Sequence, residues 1–149
     1  MRAVVQRVSS ASVSVGEHVA GRIEAGLLVY LGVACEDEVD DAAYLAEKVR
    51  YLRIFPDDEG RMNRDVVAAG GAVLVVSAFT VQADARKGRR PTFEGAAPRA
   101  EAVSLYERFC ETLADLGVSV ARGAYGEDMA VHSVNAGPVC ILLDSRRAF

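Results

Sequence analysis

The sequence lacks the residue groups that hold metal ions or build disulfide frameworks. It has only two histidines, His18 and His132, and its three cysteines, Cys35, Cys110 and Cys140, form no C-x-x-C pair. Dispersed cysteines in odd number argue against a disulfide framework and a zinc site, and they favour a reducing compartment. The H-E-x-x-H, G-x-S-x-G and P-loop patterns are also absent. We therefore expect no metal and no organic cofactor.

Long apolar runs and an excess of positive charge are missing as well. No apolar stretch approaches the length of a membrane span or of a signal-peptide core, which predicts a cytoplasmic protein with no membrane partner. The 17 Lys and Arg against 21 Asp and Glu give a formal net charge of −4. A protein that coats nucleic acid would be strongly basic, so any RNA partner would have to be bound through a local basic patch, and DNA is not an expected partner.

The composition that remains is that of one globular domain. The chain has 149 residues, of which 51% are hydrophobic and 26% charged. The hydrophobic and charged fractions are ordinary for a folded protein. The length leaves no room for a second domain that would bind substrate. We expect a single domain over residues 1–149.

The hydrophobic pattern predicts strands separated by two helices. Strands are predicted at residues 3–8, 12–15, 19–23, 27–33, 72–76, 118–121, 129–134 and 139–143. Apolar residues three and four apart predict one helix that Asp37 caps, and a second that begins at Pro98 and ends at Gly117. This arrangement indicates an α+β domain with a curved, mostly antiparallel, barrel-like sheet and two main helices.

Two short polar segments interrupt strong apolar strands. Ser77–Thr80 follows the predicted strand 72–76, at a position where functional side chains are often displayed. Asn135–Pro138 lies between two predicted strands. Taken alone, the first also fits a plain strand end with an ST-turn, and the second a hairpin turn.

A basic cluster lies in the long polar segment 82–97. It consists of Arg86, Lys87, Arg89 and Arg90. A connection of this length inside a compact domain is usually functional, and such a cluster suits phosphate groups. Each member taken singly also fits a solvated charge run.

Further segments accompany these three along the chain. They are MRAVVQRVS with ASV, GLLV, LRIF followed by GRMN, VLVVS, RKGRRP, YERF, and VN with GPV. In this order and spacing, together with Ser77–Thr80 and Asn135–Pro138, they resemble the D-aminoacyl-tRNA deacylase family. The resemblance spans essentially the whole chain.

The sequence departs from the family pattern at five side chains. Ala78 and Val81 replace Gln and Leu of the first signature, and Cys140 stands where Thr is usual in the second. Ala130 and His132 replace the usual Gln and Ser upstream. The residues that determine backbone conformation match, so the departures concern the fine tuning of the pocket rather than the fold.

The resemblance implies a hydrolase that cleaves the ester bond of D-aminoacyl-tRNA and releases the free D-amino acid and tRNA. It also implies activity on glycyl-tRNA mischarged on other tRNA. In the family the ribose 2′-hydroxyl of the terminal adenosine takes part in the chemistry. The residues that match its catalytic segment are Ser77, Phe79 and Thr80, whose backbone groups would place the carbonyl. The 3′ end of aminoacyl-tRNA is the implied partner.

The resemblance also implies a homodimer with active sites at the interface. Gly137 and Pro138 match a cis peptide that enters the partner subunit's site and rejects L-amino acids. Tyr125, Met129 and Asn135 match positions near the terminal adenosine. The basic cluster would contact tRNA phosphates.

Two alternatives remain open at this point. The departures at Ala78, Ala130 and Cys140 fit a paralogue that binds tRNA ends or another nucleotide without catalysis. A cysteine hydrolase with Cys140 as nucleophile is weaker, because a thiol in an apolar strand is expected to be buried and protonated.

Overall fold

A long first strand organises the computed structural model, which describes residues 1–148. The strands are β1 (Arg2–Val15), β2 (His18–Ile23), β3 (Gly26–Gly32), β4 (Phe55–Pro56), β5 (Met62–Arg64), β6 (Ala72–Ser77), β7 (Ser119–Arg122) and β8 (Ala130–Asp144). The helices are α1 (Val39–Tyr51) and α2 (Arg99–Asp115), and a short 3-10 helix covers Phe79–Gln82.

The main sheet combines antiparallel and parallel pairing. β1 pairs antiparallel with β3 and β2 along one edge and with β8 along the other. β3, β6 and β7 are parallel, and each parallel link is a crossover that contains one of the helices. The predicted α+β domain with a curved, barrel-like sheet and two main helices is confirmed.

The sheet curves until its two ends nearly meet. A Cβ atom on Gly21 of β2 would lie 2.4 Å from the carbonyl oxygen of Arg122 in β7. Only a residue without a side chain permits this approach of the two backbones. Gly21 therefore lets β2 and β7 close the barrel.

Side chains of β3 alternate between two cores. Leu27, Val29 and Leu31 pack on one face with the helices, whereas Leu28 lies inside the curved sheet. All four are at most 2% exposed. Because both faces are covered, the strand reads as a continuous apolar run rather than as an alternating one.

Both helices begin one residue later than the sequence indicated. The N-cap of α1 is Glu38, whose amide donates to the Asp41 carboxylate at 2.8 Å. Asp37 instead accepts hydrogen bonds from the Ala34 amide and the Met1 amine, each at 2.6 Å. Pro98 has extended backbone and is the N-cap of α2, not its first helical residue.

The last strand is continuous where the sequence predicted two strands. β8 runs through Asn135–Pro138, and its pairing with β1 shifts there: β1 advances from Gln6 to Val8 while β8 passes from Cys140 to Asn135. The three extra residues form a bulge, which the sequence analysis interpreted as a turn between strands.

The small hairpin of β4 and β5 was not predicted. No helix within residues 1–148 is long and apolar enough to span a membrane.

We predict that Gly21→Ala destabilises the fold. The added methyl group would overlap the β7 backbone, and overpacking of this kind costs about 1–3 kcal/mol. Urea unfolding should show a lower free energy of unfolding by that amount. Gly95→Ala is the matched control, because a Cβ there meets open space at ordinary backbone angles and should change stability by less than about 0.5 kcal/mol. Equal effects of the two substitutions would contradict this account of barrel closure.

Candidate active site

A cavity of about 630 Å³ opens where β3 and β6 end, beside the 3-10 helix and the start of α2. Its volume lies within the range of small-molecule binding sites. The residues that line it include Tyr30, Ser77, Phe79, Thr80, Arg99, Tyr106, Tyr125, Gly126, Glu127, Asp128 and Met129.

The structure places Ser77, Phe79 and Thr80 together in this cavity. Ser77 is the last residue of β6, and the chain then turns into the 3-10 helix. The Ala78 amide donates to the Leu31 carbonyl at 2.9 Å. The buried amide of Gln82 donates to the Gly32 carbonyl at 2.8 Å and fixes the other end of the turn. The segment is therefore a rigid corner held to β3.

Tyr125 and Met129 lie in the same cavity, on the chain between β7 and β8. The Tyr125 ring packs against the Tyr106 ring, with centroids 5.2 Å apart. The Tyr106 hydroxyl in turn donates to the Val75 carbonyl at 2.9 Å. Five of the site residues proposed from the sequence thus line one pocket, although they come from chain segments about fifty residues apart.

Phe79 displays its ring to solvent beside Phe93. Phe79 is 59% exposed, and the two rings meet edge to face with centroids 5.1 Å apart. Phe93 belongs to the polar segment 82–97 and was not singled out from the sequence. Its only signal was an aromatic residue inside a polar loop. The pair makes an apolar face at the cavity that a planar ring can cover.

The phenol groups of the cavity stay protonated near neutral pH. Burial raises the pKa of Tyr30, of Tyr106 and of Tyr125 above the ordinary value. Phenols in this state donate hydrogen bonds but do not act as bases. Neither histidine can act as a base in the cavity, because His18 and His132 are exposed residues of β2 and β8 that do not line it. Thr80 therefore has no histidine or tyrosinate base within the described residues.

Three charged side chains of the cavity were missed by the sequence analysis. Arg99, Glu127 and Asp128 line the wall around Gly126. A lone arginine at a helix start and two acids in a turn carry no distinctive sequence pattern. Only the tertiary structure brings them to one pocket.

Asn135, Gly137 and Pro138 lie outside the cavity of their own chain. They belong to the β8 bulge and are exposed. The Gly137–Pro138 peptide bond is cis, as the resemblance implied. The Asn135 side-chain oxygen accepts a hydrogen bond from the Ser133 hydroxyl at 3.3 Å. The structure of one chain therefore separates these residues from the Ser77–Thr80 segment.

Arg7 of β1 holds the bulge in place. Its Nε donates to the Ala136 carbonyl at 2.9 Å and its Nη1 to the Ile54 carbonyl at 2.5 Å. A Cβ on Gly137 would lie 2.8 Å from Nη2 of Arg7, and the φ of Gly137 is +128°. The backbone angle thus favours glycine at 137, and a side chain there would also require the Arg7 guanidinium to shift. Arg7 lay in a segment of the family resemblance, but nothing in its sequence context assigned it this contact.

The basic cluster lies on a closed loop away from the cavity lining. Asp84 and Thr92 exchange two backbone hydrogen bonds of 2.9 Å and close the loop. Arg86 is paired with the Asp84 carboxylate, and its hydrogen bonds hold the pKa of that carboxyl well below the usual range. Lys87, Arg89 and Arg90 are exposed and form no ion pair within residues 1–148. The unpaired positive charge of the loop therefore lies on these three residues.

The cysteines do not contribute to the cavity. Cys110 is buried, and burial raises the pKa of its thiol to about 11. Cys35 and Cys140 are exposed. The expectation that Cys140 is buried was wrong, because Cys140 and Leu142 lie on the exposed face of β8, in alternation with the partly buried Val139, Ile141 and Leu143.

We predict that Arg7→Met lowers the free energy of unfolding by about 2 kcal/mol. The substitution keeps an apolar stem but removes a charged donor from two carbonyl groups, and hydrogen bonds to charged groups contribute about 1.5–3 kcal/mol. Urea unfolding measures the change. Arg53→Met is the control, since Arg53 makes one exposed hydrogen bond to the Asn63 carbonyl. If both variants lose the same stability, Arg7 does not hold the bulge.

Comparison with known proteins agrees with the resemblance. The family model described as D-Tyr-tRNA(Tyr) deacylase matches residues 4–144. The D-aminoacyl-tRNA deacylase of Desulforudis audaxviator is 56% identical over 149 residues and covers all of both chains. That of Thermus aquaticus is 52% identical over 145 residues, 97% of this chain and 95% of its own. A solved structure described as c-Myc DNA Unwinding Element Binding Protein has a TM-score of 0.91 and 36% identity, and the match covers 97% of this chain and 98% of that one. Since the match extends over nearly the whole sequence, the chain belongs to the D-Tyr-tRNA(Tyr) deacylase family.

Proposed function

We propose that this protein hydrolyses the ester bond of D-aminoacyl-tRNA in the cavity beside Ser77–Thr80. The observation that carries the proposal is that Ser77, Phe79, Thr80, Tyr125 and Met129 line one cavity of about 630 Å³ in a chain of this family. A cavity of this volume accommodates a drug-sized ligand, the size class of an aminoacyl-adenosine.

The chemistry needs a positioned carbonyl and donors for its oxyanion. Phe79 and Thr80 begin the 3-10 helix, so their backbone amides have no acceptor within that helix. In the proposed reaction these amides hold the carbonyl oxygen while water attacks the carbonyl carbon. The bond to the ribose 3′ oxygen breaks, that oxygen takes up a proton, and the D-amino acid leaves. The neighbouring 2′-hydroxyl of the substrate is the proton carrier that the family resemblance implies.

Thr80 is not the nucleophile in this proposal. A hydroxyl group becomes a nucleophile when an adjacent base removes its proton. The phenols of the cavity are protonated, neither histidine lines it, and the Thr80 hydroxyl makes no hydrogen bond to Glu127 or Asp128 within the described residues. A role of Thr80 through its backbone amide needs no base.

The adenosine end would rest on the exposed aromatic face. Adenine can stack on Phe79, which Phe93 supports edge to face, while Tyr125 and Met129 border the same space. Lys87, Arg89 and Arg90 on the closed loop would contact phosphates of the tRNA backbone. Phosphate contacts fix the position of the RNA, and the cavity then selects its aminoacyl end.

We predict that the protein deacylates D-tyrosyl-tRNA at least about a hundredfold faster than L-tyrosyl-tRNA. Loss of the labelled ester from each substrate, measured under identical conditions, gives the ratio. Discrimination that depends on a steric clash is stronger than discrimination by one missing methylene group, which reaches only about 10–200-fold. Equal turnover of the two substrates would exclude chiral editing, and turnover of neither would favour a binding paralogue.

Alkylation of the same sample separates this mechanism from a cysteine hydrolase. Cys35 and Cys140 are exposed and should react, whereas Cys110 is buried with a raised thiol pKa and should not. We expect the alkylated protein and Cys140→Ala to keep most of their activity. An acyl group trapped on Cys140 or Thr80 would contradict hydrolysis assisted by the substrate's ribose.

We further propose that Gly137 and Pro138 form the chiral gate of the partner subunit in a homodimer. Both residues are exposed and lie outside the cavity of their own chain. The same strand exposes Val134 at 59% and Leu142 at 57%, an apolar surface that a second copy would cover. A gate of backbone atoms leaves the side-chain position of a D-residue open, and glycine, which has no side chain, also enters. Activity on mischarged glycyl-tRNA belongs to this proposal.

Mixed dimers test whether the gate acts in trans. Gly137→Val should obstruct the gate, and Phe79→Ala should impair the cavity, so each variant alone should be weakly active. A heterodimer of the two contains one intact cavity facing one intact gate, and we expect about half of the wild-type activity per dimer. A gate acting within its own chain would leave the heterodimer as inactive as the parents.

A further inference from the structure

We propose that Arg99 binds the phosphodiester on the 5′ side of the terminal adenosine. This inference rests on the proposed function, because it places the adenosine in the cavity beside Phe79. It assigns Arg99 as a residue that positions the end of the RNA chain, separate from the basic cluster on the loop. Nothing in the sequence pattern pointed to this residue.

Arg99 is the first residue of α2, and its side chain lies at the wall of the cavity against Gly126. A Cβ on Gly126 would lie 2.6 Å from Cζ of Arg99 and 2.7 Å from Nη2, so the guanidinium occupies the place that a side chain would take. The φ of Gly126 is +76°, which also favours glycine. Because Gly126 has no side chain, the turn leaves the space beside Tyr125 in which the guanidinium lies.

The charge of Arg99 is not neutralised within the described residues. Seven other arginines form ion pairs there: Arg2, Arg50, Arg61, Arg64, Arg86, Arg122 and Arg146. Arg99 forms none in residues 1–148, although Glu127 and Asp128 line the same cavity. Its positive charge reaches the cavity, because it lowers the pKa of Tyr125 against the larger effect of burial.

The chemistry of the substrate determines which group such a cation can bind. The aminoacyl group carries an ammonium ion, and adenine and ribose are neutral. The anion nearest the terminal adenosine in every tRNA substrate is the phosphodiester that joins it to the preceding nucleotide. A guanidinium donates two parallel hydrogen bonds to phosphate oxygens, so the site needs an arginine rather than a lysine for full strength.

The test compares two small substrates that differ in this phosphate alone. One is the D-tyrosyl ester of adenosine, and the other is the D-tyrosyl ester of the dinucleotide CpA. We expect Arg99→Gln to lower kcat/KM about tenfold for the dinucleotide ester and less than about twofold for the adenosine ester, a tenfold change corresponding to about 1.4 kcal/mol. Arg99→Lys should recover part of the loss.

Two further variants keep the result interpretable. Arg108→Gln removes the same charge from an exposed position on the same helix and should change neither substrate, which controls for the overall field of the protein. Gly126→Ala should lower kcat/KM for the dinucleotide ester in the same way, because its methyl group would displace the guanidinium from the space beside Gly126. Melting temperatures within a few degrees of wild type confirm that each variant is folded.

The outcomes separate this inference from the proposed function. An equal loss on both esters, or no loss on the dinucleotide ester, overturns the role of Arg99 while wild-type hydrolysis still supports deacylation. The D-aspartyl ester of adenosine serves as a third substrate. If Arg99→Gln lowers kcat/KM for this ester alone, Arg99 contacts the amino-acid side chain and the inference is overturned. If wild type hydrolyses neither ester nor D-tyrosyl-tRNA, the proposed function fails, and this inference fails with it.

Discussion

The hydrogen-bond ladder of β1 determines where every other part of the molecule lies. The strand pairs along both edges, with β3 and then β2 on one side and β8 on the other. Its first half thereby fixes β3 and, through β3, the parallel strand β6 whose end carries Ser77. Its second half carries β2 round to β7, where Gly21 allows the barrel to close. A change of register in β1 would move both the cavity and the bulge of β8, since side chains alternate between the two faces of a strand.

The fold follows from the sequence further than the site does. The apolar runs of β3 and β6 and the periodicity of α1 and α2 are strong local signals, and they place these elements nearly where the structure has them. The sequence of β8 predicts two strands, because Gly137 and Pro138 are strong turn residues. In the structure, pairing with β1 keeps the strand continuous, and these residues form a bulge. Here tertiary pairing overrides a local preference. The start of α1 was displaced by one residue, because Asp37 accepts hydrogen bonds from the Met1 amine and the Ala34 amide instead of capping the helix.

The strand pattern drew attention to Ser77–Thr80, but specific roles for the site residues came only from the family resemblance. Ser77, Phe79, Thr80, Tyr125 and Met129 come together because β6, the 3-10 helix and the segment before β8 converge, which no local pattern shows. Arg7, Phe93 and Arg99 have no distinctive neighbours in the sequence. Their positions depend on contacts with Ala136, Phe79 and Gly126, which are distant along the chain. The cavity accordingly offers backbone donors, protonated phenols and an aromatic face.

The bulge of β8 also has a consequence for the solubility of the chain. In the described residues β8 pairs only with β1, so one edge of this 15-residue strand presents unpaired backbone groups. A long, regular edge of this kind is a template on which strands of other molecules can add, and proteins commonly protect such edges with bulges and prolines. The extra residues around Gly137 break the regular spacing of that edge, and Pro138 offers no amide hydrogen to a neighbour. The same short segment therefore hinders the growth of intermolecular sheets along this edge.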